Sequence, residues 1–427
     1  ADGVYCSLTT GQEKKEVPFA NHVACTVEMV STQKTWEVAV IDEIQMLADE
    51  FRGWAWTRAF LGLQANEIHV CGDPTALRLV RDICAITGDE MEECHYERFD
   101  PLSIDQHSLE GKYGNICPGD CIVSFSRKEI FSIKRAVELA TSNRCCVIYG
   151  ALPPETRRHQ AKLFNDPNSG YDVLVATDAI GMGLNLNIKR VVFHSLEKYD
   201  GKTQIKVSAS QVKQIAGRAG RRGTLYQIGT ATTFYSRDIP YLVQCMEEPF
   251  SATSSAGLFP MYEQIELFAT QMPEATFSKL LDRFAETCQL DGSFFLCRND
   301  NLKKVAGIID KVKGLTLEDK MSFILAPVNS RDPRVINALL SFALAYSKKL
   351  PVHLAMATPM GSAKSIVQLM DLETRHQILS LYLWLSHHFP EECFPQKEQA
   401  GQMAADIALL LGESLAQQDI RIVQKDH

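Results

Sequence analysis

The chain has 427 residues, of which 45% are hydrophobic and 22% charged, and its formal net charge is −8. This composition excludes collagen-like, coiled-coil and wholly disordered proteins. At roughly 100–200 residues per domain, the length predicts about two to four domains. No apolar run approaches the roughly 18 residues of a membrane span, so we expect none. The acidic balance, taken alone, argues against a generally basic nucleic-acid-binding protein.

The thirteen cysteines are scattered, with neither a Cys-x-x-Cys pair nor a zinc-like spacing. Cys145 and Cys146 are adjacent and cannot form an ordinary unstrained disulfide. We therefore predict a reducing compartment and buried thiols, with Cys121, Cys145 and Cys146 placed in or beside strands. The chain begins with Ala1 and has no charged segment followed by an apolar one, so no signal peptide is expected.

Short apolar strands alternate with helical patterns over the first 255 residues. Continuous apolar strands with helices between them predict βαβ units and a buried parallel sheet. The predicted strands are 38–41, 68–71, 121–125, 146–149, 173–176 and 191–193. The predicted helices between them are 54–63, 128–140, 154–165 and 208–219.

The pattern changes near residues 251–257, a stretch rich in serine and alanine that predicts a joint. Beyond it helical periodicity dominates, so the chain divides into 1–110, 111–255 and a helical 256–427. The predicted helices of this last region are 262–270, 276–288, 334–348, 365–389 and 400–416.

The first candidate site follows the strand 38–41, which ends in the carboxylates of Asp42 and Glu43. Ligands bind beyond the carboxyl ends of strands in open α/β sheets. Asp42 there could hold Mg²⁺, which prefers oxygen ligands, and Glu43 could accept a proton from an attacking water. The alternative is an ordinary strand end followed by a helix cap, where Asp is favoured. Taken alone, the Asp-Glu pair favours this alternative.

The second candidate is Gln-x-x-Gly-Arg-x-x-Arg, formed by Gln214, Gly217, Arg218 and Arg221. The two arginines are three residues apart, close to one helical turn, so both can point the same way. Arginine makes bidentate contacts to phosphate and stabilises charge in phosphoryl transfer. The alternative is a basic helix end with a glycine cap, which does not require this alternation of glycine and arginine.

The third candidate is the strand 173–176, which runs into Thr177 and Asp178 and then a glycine-containing turn. Backbone amides in such a turn could hold a phosphate or a ribose. A βα loop capped by the aspartate is the alternative.

Together these three segments resemble motifs II, V and VI of superfamily-two helicases, in the right order and at plausible spacing. Within that superfamily the chain resembles the ATP-dependent RNA helicases of the mitochondrial degradosome, the suppressor-of-Var family. The supporting stretches span nearly the whole chain and are 26–29, 52–58, 118–123, 149–154, 264–268, 371–373 and 381–386.

The resemblance implies an α/β fold of two RecA-like parallel-sheet domains followed by an α-helical region. Residues 1–110 would be the C-terminal part of an incomplete first domain, 111–255 the second domain, and 256–427 the helical region. It also implies that a mitochondrial RNA helicase of this kind uses ATP and Mg²⁺, binds single-stranded and duplex RNA, and works in RNA degradation with an exoribonuclease partner. A mitochondrial matrix location follows from the family, although this chain shows no transit peptide.

The resemblance assigns catalytic roles to Asp42, Glu43, Gln45, Gln214, Arg218 and Arg221. Asp42 and Glu43 would bind Mg²⁺ and position the water, Gln45 would couple the nucleotide to motif VI, and Arg221 would be the better arginine finger. Gly183 and Asn185 would lie near the nucleotide. The expected contacts to the nucleic-acid backbone are Thr177 and, more weakly, Thr26, Ser124 and Ser126.

A helicase of this class also needs a Walker A loop, Gly-x-x-x-x-Gly-Lys-[Ser/Thr], before the motif II strand. No such stretch occurs in the sequence. We therefore expect a chain truncated before that loop and impaired in ATP hydrolysis. A non-catalytic RNA-binding or regulatory protein derived from such a helicase is the second reading. An α/β metabolic enzyme is the third, and the Gly-Arg motif is hard to explain in it.

Other notable side chains are expected to be structural. Trp54 and Trp56 could stack on bases, but their apolar helical context favours core packing, and His194 has no metal-ligand spacing around it. The apolar face 403–411 of the last helix is expected to dock on its own domain. Residues 112–222 hold 18 basic and 9 acidic side chains, a net charge of +9. The acidic total therefore conceals a basic second domain, where phosphate contacts are expected.

Overall fold

The structure, a computed structural model, describes residues 3–11, 14–97, 102–181, 183–221, 223–357, 359 and 361–417. The strands, in chain order, are β1 (Cys6–Thr9), β2 (Lys14–Lys15), β3 (His22–Cys25), β4 (Thr35–Ile41), β5 (Gln64–Val70), β6 (Ser103–Ile104), β7 (Asp120–Val123), β8 (Arg144–Ile148), β9 (Tyr171–Ala176), β10 (Arg190–Phe193), β11 (Glu197–Tyr199), β12 (Gln204–Lys206), β13 (Thr230–Thr233), β14 (Ala256–Leu258) and β15 (Phe294–Leu296).

The α-helices, again in chain order, are α1 (Gly53–Gly62), α2 (Leu77–Thr87), α3 (Arg127–Ala140), α4 (Pro154–Asn165), α5 (Ala209–Ala216), α6 (Ile239–Glu247), α7 (Tyr262–Gln271), α8 (Phe277–Thr287), α9 (Asp300–Ile309), α10 (Leu317–Leu325), α11 (Pro333–Ser347), α12 (Ile366–His388) and α13 (Lys397–Ala416). Each strand and helix predicted from the sequence has a counterpart here, with ends that differ by a few residues.

The described residues form two compact units that are discontinuous in sequence. The first unit draws on 1–93, 250–356 and 377–402, and the second on 94–249, 357–376 and 403–427. Both α12 and α13 therefore contribute residues to each unit. The domain limits at residues 110 and 255 stay a prediction.

The second unit is built on a six-stranded sheet with the strand order β6-β13-β10-β7-β9-β8, and every neighbouring pair in it is parallel. Strand β7 is buried along its whole length, and β9 and β10 are buried apart from their first one or two residues, because helices cover the sheet. Cys121, Cys145 and Cys146 are fully buried within it, as predicted. The wider expectation of mostly buried thiols is wrong, because only six of the thirteen cysteines are buried and Cys6, Cys25, Cys71, Cys94 and Cys117 are exposed. The predicted α/β parallel sheet is confirmed, and its polar strand ends meet at one edge.

The first unit contains a parallel pair, β4 and β5, and a separate sheet in the order β2-β1-β3. Ile41 at the end of β4 is buried, and Trp56 of α1 packs in the same apolar core, so its predicted core role is confirmed. Val38 and Val40 of the same strand are instead 52% and 67% exposed. Within the described residues, β4 is thus buried chiefly at its carboxyl end, next to Asp42 and Glu43.

Helix α5 is shorter than predicted, since it ends at Ala216 and not at residue 219. Ala219 forms a parallel bridge with Ile188, and the next amide, that of Gly220, donates to the Ile188 carbonyl at 2.8 Å. Gly220 has φ +68°, which ends any helical continuation. Periodicity could not reveal this because a tertiary strand-like contact replaces the helical bonds.

The described part of α13 in the second unit buries Met403, Ile407 and Leu411, as predicted for a helix face docked on its own domain. The hydroxyl of Thr156 in α4 donates to the carbonyl of Ala408 at 3.0 Å. Among the described helices, none is both long and apolar enough to cross a membrane.

Candidate functional site

The carboxyl end of β4 places the two carboxylates in different settings. Asp42 is exposed, and its Oδ1 accepts a bond from the Glu43 amide at 3.0 Å. Its carbonyl accepts from Nε1 of buried Trp56 at 2.9 Å, so core packing fixes the backbone at this carboxylate. Glu43 is half-buried with φ +55°, in the left-handed region. A non-glycine residue there is uncommon and typical of functional loops.

Gln45 joins this turn to the loop that follows β5. Its Nε2 donates to Oε2 of Glu43 at 2.5 Å, and its Oε1 accepts from the Asp73 amide at 3.3 Å. A Cβ atom on Gly72 would lie 2.4 Å from that same Oε1. The loop must therefore carry glycine at 72 for Gln45 to hold both partners.

The sequence reasoning missed the Gly72 and Asp73 loop. The signal was available, because β5 also ends in a polar Gly-Asp-Pro turn beside β4 in a parallel sheet. Asp73 caps the next turn by accepting from the Thr75 amide at 2.9 Å. Whether Gln45 also reaches motif VI stays a prediction.

The donor set at this strand end fits Mg²⁺. Two carboxylates lie at the end of β4, and Mg²⁺ is ordinarily held by one or two carboxylates together with phosphate and water oxygens. The described residues contain no group of three or more His, Cys, Asp or Glu side chains arranged for a metal ion. A Mg²⁺ ion here would therefore need oxygen atoms from phosphate or water in addition to the Asp42 carboxylate.

In the second unit, motifs V and VI are tied together by side-chain bonds. Arg218 donates to the carbonyl of Gly181, and Arg221 donates to Oδ1 of Asn185. Gln211 Nε2 donates to Oδ2 of Asp178 at 3.0 Å. Residues 33 to 37 apart in sequence thus meet along the segment that leads from the end of β9 back to the start of β10.

The remaining predicted nucleotide contacts border this cluster. Gln214 lies beside Gly181, since a Cβ atom added to Gly181 would be 3.6 Å from Oε1 of Gln214. Gly183 is exposed with φ +74° and no atom near its Cβ position, so its backbone is open on that side. Thr177 is 8% exposed, and its hydroxyl accepts from the Ala179 amide at 3.3 Å. Motifs V and VI therefore form one surface.

Backbone contact without intervening side chains holds motif VI in place. A Cβ on Gly220 would lie 2.3 Å from the Gly229 nitrogen, and a Cβ on Gly229 would lie 2.2 Å from the Ala219 carbonyl carbon. Arg221 also pairs through its amide with the Tyr226 carbonyl at 2.9 Å. Gly229 escaped the sequence reasoning because a lone glycine after a loop carries no local signal.

The predicted backbone contacts differ in exposure. Thr26 and Ser126 are exposed, and the Thr26 amide donates to the Thr9 carbonyl at 3.1 Å. Ser124 is fully buried, and its hydroxyl donates to Oε2 of Glu129 at 2.5 Å while accepting from the Ser126 amide at 3.2 Å. Ser124 is thus placed to support Ser126.

Comparison with known families matches four parts of the chain. The matching models are described as the DEXQ-box helicase domain of Suv3 at residues 1–96, the helicase conserved C-terminal domain at 114–223, the Suv3 C-terminal domain 1 at 304–347, and the ATP-dependent RNA helicase SUV3 C-terminal domain at 369–417. The four matches follow one another along the chain without overlap, from residue 1 to residue 417.

Three similar proteins carry names of the same kind. The mitochondrial DExH-box ATP-dependent RNA helicase DExH18 of Arabidopsis thaliana is 60% identical over 99% of this chain and 54% of its own length. The human mitochondrial ATP-dependent RNA helicase SUPV3L1 is 46% identical over 91% of this chain and 51% of its own length. The mitochondrial helicase DExH16 of Arabidopsis thaliana is 41% identical over 96% of this chain and 72% of its own length.

The chain therefore spans about half the length of the first two relatives and more of the third. The motif II turn, the joined motifs V and VI, and similarity along almost the whole sequence all point to one assignment. The chain belongs to the Suv3 family of ATP-dependent RNA helicases.

Proposed function

We propose that the chain is part of a helicase that uses ATP hydrolysis to unwind RNA in mitochondrial RNA degradation and surveillance. The observation that carries the proposal is the bonding of motif V to motif VI through Arg218, Arg221 and Gln211. This arrangement fixes the guanidinium groups of Arg218 and Arg221 on one surface with motif V, and guanidinium groups bind phosphates through bidentate contacts.

In this proposal each polar side chain of motif II has a distinct task. The Asp42 carboxylate holds Mg²⁺, which supplies charge neutralisation for the phosphates when it is bound. Glu43 orients the attacking water and accepts its proton, and Gln45 keeps that carboxylate in place by donating to Oε2.

The arginines of motif VI would stabilise charge on the transferred phosphoryl group. Arg221 is the preferred arginine finger because it is exposed, and Arg218 is half-buried and bonded to the Gly181 carbonyl. Gln214 lies beside the same glycine, and Asn185 accepts from Arg221. Gly183 and Asn185 would border the nucleotide.

For RNA we propose contacts from Thr26, Ser126 and Thr177, with Ser124 acting through its bond to the Ser126 amide. The net charge of +9 over residues 112–222 supports binding of single-stranded and duplex RNA. The names of the relatives support a mitochondrial location, and we propose the matrix, with an exoribonuclease as partner.

Direct RNA binding tests this proposal. The 427-residue chain should bind a dye-labelled single-stranded RNA in fluorescence anisotropy, with an affinity that falls as salt rises. Thr26→Ala and Ser126→Ala should each weaken binding, whereas Thr270→Ala, an exposed helical threonine bonded to Leu267, should not. A chain that binds no RNA at low salt would contradict the proposal.

ATP turnover separates the helicase from the second candidate, a non-catalytic RNA-binding regulator. No Walker A sequence occurs within these 427 residues, so a polypeptide of these residues alone is where the two candidates can be told apart. We expect impaired turnover by the chain alone, because the lysine and backbone cradle for the β- and γ-phosphates are missing from it. RNA-stimulated turnover that disappears in Glu43→Gln would refute this expectation.

A further inference from the structure

The turn between β7 and α3, residues 124–129, is held by acidic side chains on two sides, the half-exposed Glu129 and the buried Glu373. This turn carries Ser126, which is exposed at the carboxyl end of a central strand. The first turn of α3 depends on it, since the amides of Glu129 and Ile130 both donate to the Ser126 carbonyl, at 3.1 and 3.2 Å. Any contact that fixes this turn therefore also fixes the position of Ser126.

One support comes from within the same sheet. Glu129 accepts from the buried Ser124 hydroxyl and lies 3.4 Å from Nδ1 of His194, which follows β10. His194 in turn bonds through Nε2 to the Tyr113 hydroxyl at 3.1 Å, and its ring stacks on Phe234 with centroids 4.8 Å apart. These contacts hold the inner side of the turn.

The other support comes from α12, far away in sequence but in the same compact unit. Glu373 Oε2 lies 2.6 Å from Nη2 of Arg127, and its Oε1 accepts from the Tyr149 hydroxyl at 2.5 Å. The Arg127 guanidinium also lies over the Tyr149 ring, 5.2 Å from its centroid. Arg127 is the residue directly after Ser126, so Glu373 anchors the start of α3.

The setting of Glu373 distinguishes it from an ordinary surface ion pair. Its side chain is 3% exposed, whereas Asp371 on the same helix pairs with Arg375 while 36% exposed. Burial raises the pKa of the Glu373 carboxyl, and Arg127 only partly opposes this effect. A carboxyl whose pKa is raised on folding favours the folded state below its unfolded pKa and loses that contribution as the pH rises. Its charge at neutral pH therefore costs stability.

A buried charge that costs stability needs another reason to be in place. The geometry supplies one, because its two oxygens engage the end of β8 and the start of α3 at the same time. We infer that Glu373 is a positioning residue that, acting through Arg127, fixes the turn presenting Ser126 to RNA. This inference rests on the proposed RNA-binding function.

The test is Glu373→Gln in the 427-residue chain, which keeps the shape and an acceptor for Tyr149 but removes the charge that binds Arg127. We expect single-stranded RNA to bind roughly 3- to 10-fold more weakly, as for coupled contacting residues. The melting temperature is measured beside the affinity, because losing the charged partner of Arg127 opposes the gain from burying one charge fewer. Asp371→Asn, the matched change at the exposed pair, should alter neither quantity.

The salt dependence of binding separates positioning from direct contact. If Arg127 only anchors the turn, the slope of log affinity against log salt should be equal in the wild type and Glu373→Gln. Tighter binding with a slope steeper by about one would mean that freed Arg127 contacts phosphate, which overturns the inference. Equal affinity of the two proteins would overturn it as well.

A double-mutant cycle with Ser126→Ala covers the case in which Glu373→Gln is less stable. Because both changes act on one turn, their effects on RNA affinity should be less than additive, and additive effects would overturn the inference. Hydrogen exchange needs no RNA, and we expect faster exchange of the Glu129 and Ile130 amides in Glu373→Gln. Unchanged exchange refutes the positioning role, whereas a wild type that binds no RNA refutes the proposed function.

Discussion

Gly229 lies so close to the backbone of motif VI that no side chain fits between them. In Gly229→Ala the new Cβ would be 2.2 Å from the carbonyl carbon and oxygen of Ala219 and 2.5 Å from the Gly220 nitrogen. All of these are backbone atoms, so no rotamer change can relieve the overlap. The segment 219–221 must move by about 1 Å to reach ordinary contact.

The size of the effect follows from the bonds that this movement disturbs. Overpacking typically costs about 1–3 kcal/mol. The bonds from Gly220 to Ile188 and from Arg221 to Tyr226 are each worth about 1 kcal/mol. We expect a total loss of about 3–5 kcal/mol, or about 6–20 °C in melting temperature for a domain of this size.

The assay uses two probes because the four tryptophans, Trp36, Trp54, Trp56 and Trp384, all belong to the first unit. Far-UV circular dichroism should show the loss of thermal stability, and tryptophan fluorescence should change less. Hydrogen exchange should rise in peptides covering 215–231.

Gly114→Ala is the matched control, since Gly114 is exposed and has no atom within 4 Å of its Cβ position. We expect it to change stability by about 0.5 kcal/mol or less. Equal melting curves for Gly229→Ala and Gly114→Ala would refute the reasoning. They would mean that the backbones of Gly220 and Gly229 are not in close contact.

Three further predictions address the supports of the site. Asp120→Ala should cost about 3–5 kcal/mol in thermal unfolding, because it leaves Arg190 without its buried partner, now bound at 2.6 and 2.9 Å. Gly72→Ala should lower the free energy of unfolding by about 1–3 kcal/mol, because its Cβ displaces Gln45 of motif II. The tryptophan fluorescence transition measures this loss, and an unshifted transition contradicts it. The bond from His194 lowers the pKa of Glu129, so its stabilising effect is present above its unfolded pKa and lost as the pH falls through the lower folded value. Glu129→Gln should therefore be less stable than wild type at pH 7 and approach it at acid pH in urea titrations, and a constant difference would count against the bond.

The strands and the site residues at their ends were predictable because their signals are local. An apolar run followed by Asp42 and Glu43 specifies a strand end with carboxylates, and the Gly-Arg alternation around Arg218 predicts a phosphate-binding turn, which stays a prediction. Hydrophobic periodicity also located α4 at both of its ends. These features depend on neighbours within a few residues, so they can be read without knowing how the elements pack.

Contacts between distant segments could not be predicted in this way. The end of α5 at Ala216 depends on a bridge to Ile188, and the orientation of Gln45 depends on a glycine 27 residues later in the chain. The buried Ser124 hydroxyl likewise depends on the carboxylate of Glu129 as its acceptor. Helical periodicity alone would place that carboxylate on the exposed surface of α3.

The sequence by itself determined the α/β class, the order of the helicase motifs and the residues proposed to carry their chemistry, because each rests on residue type and local spacing. Only the tertiary structure decided which partners hold those residues: Asp73 for Gln45, Asn185 for Arg221, and Glu373 for Arg127. The physical reason is that a hydrogen bond or ion pair forms where two packed elements bring matching groups within about 3 Å, and that distance is set by the packing of the whole unit.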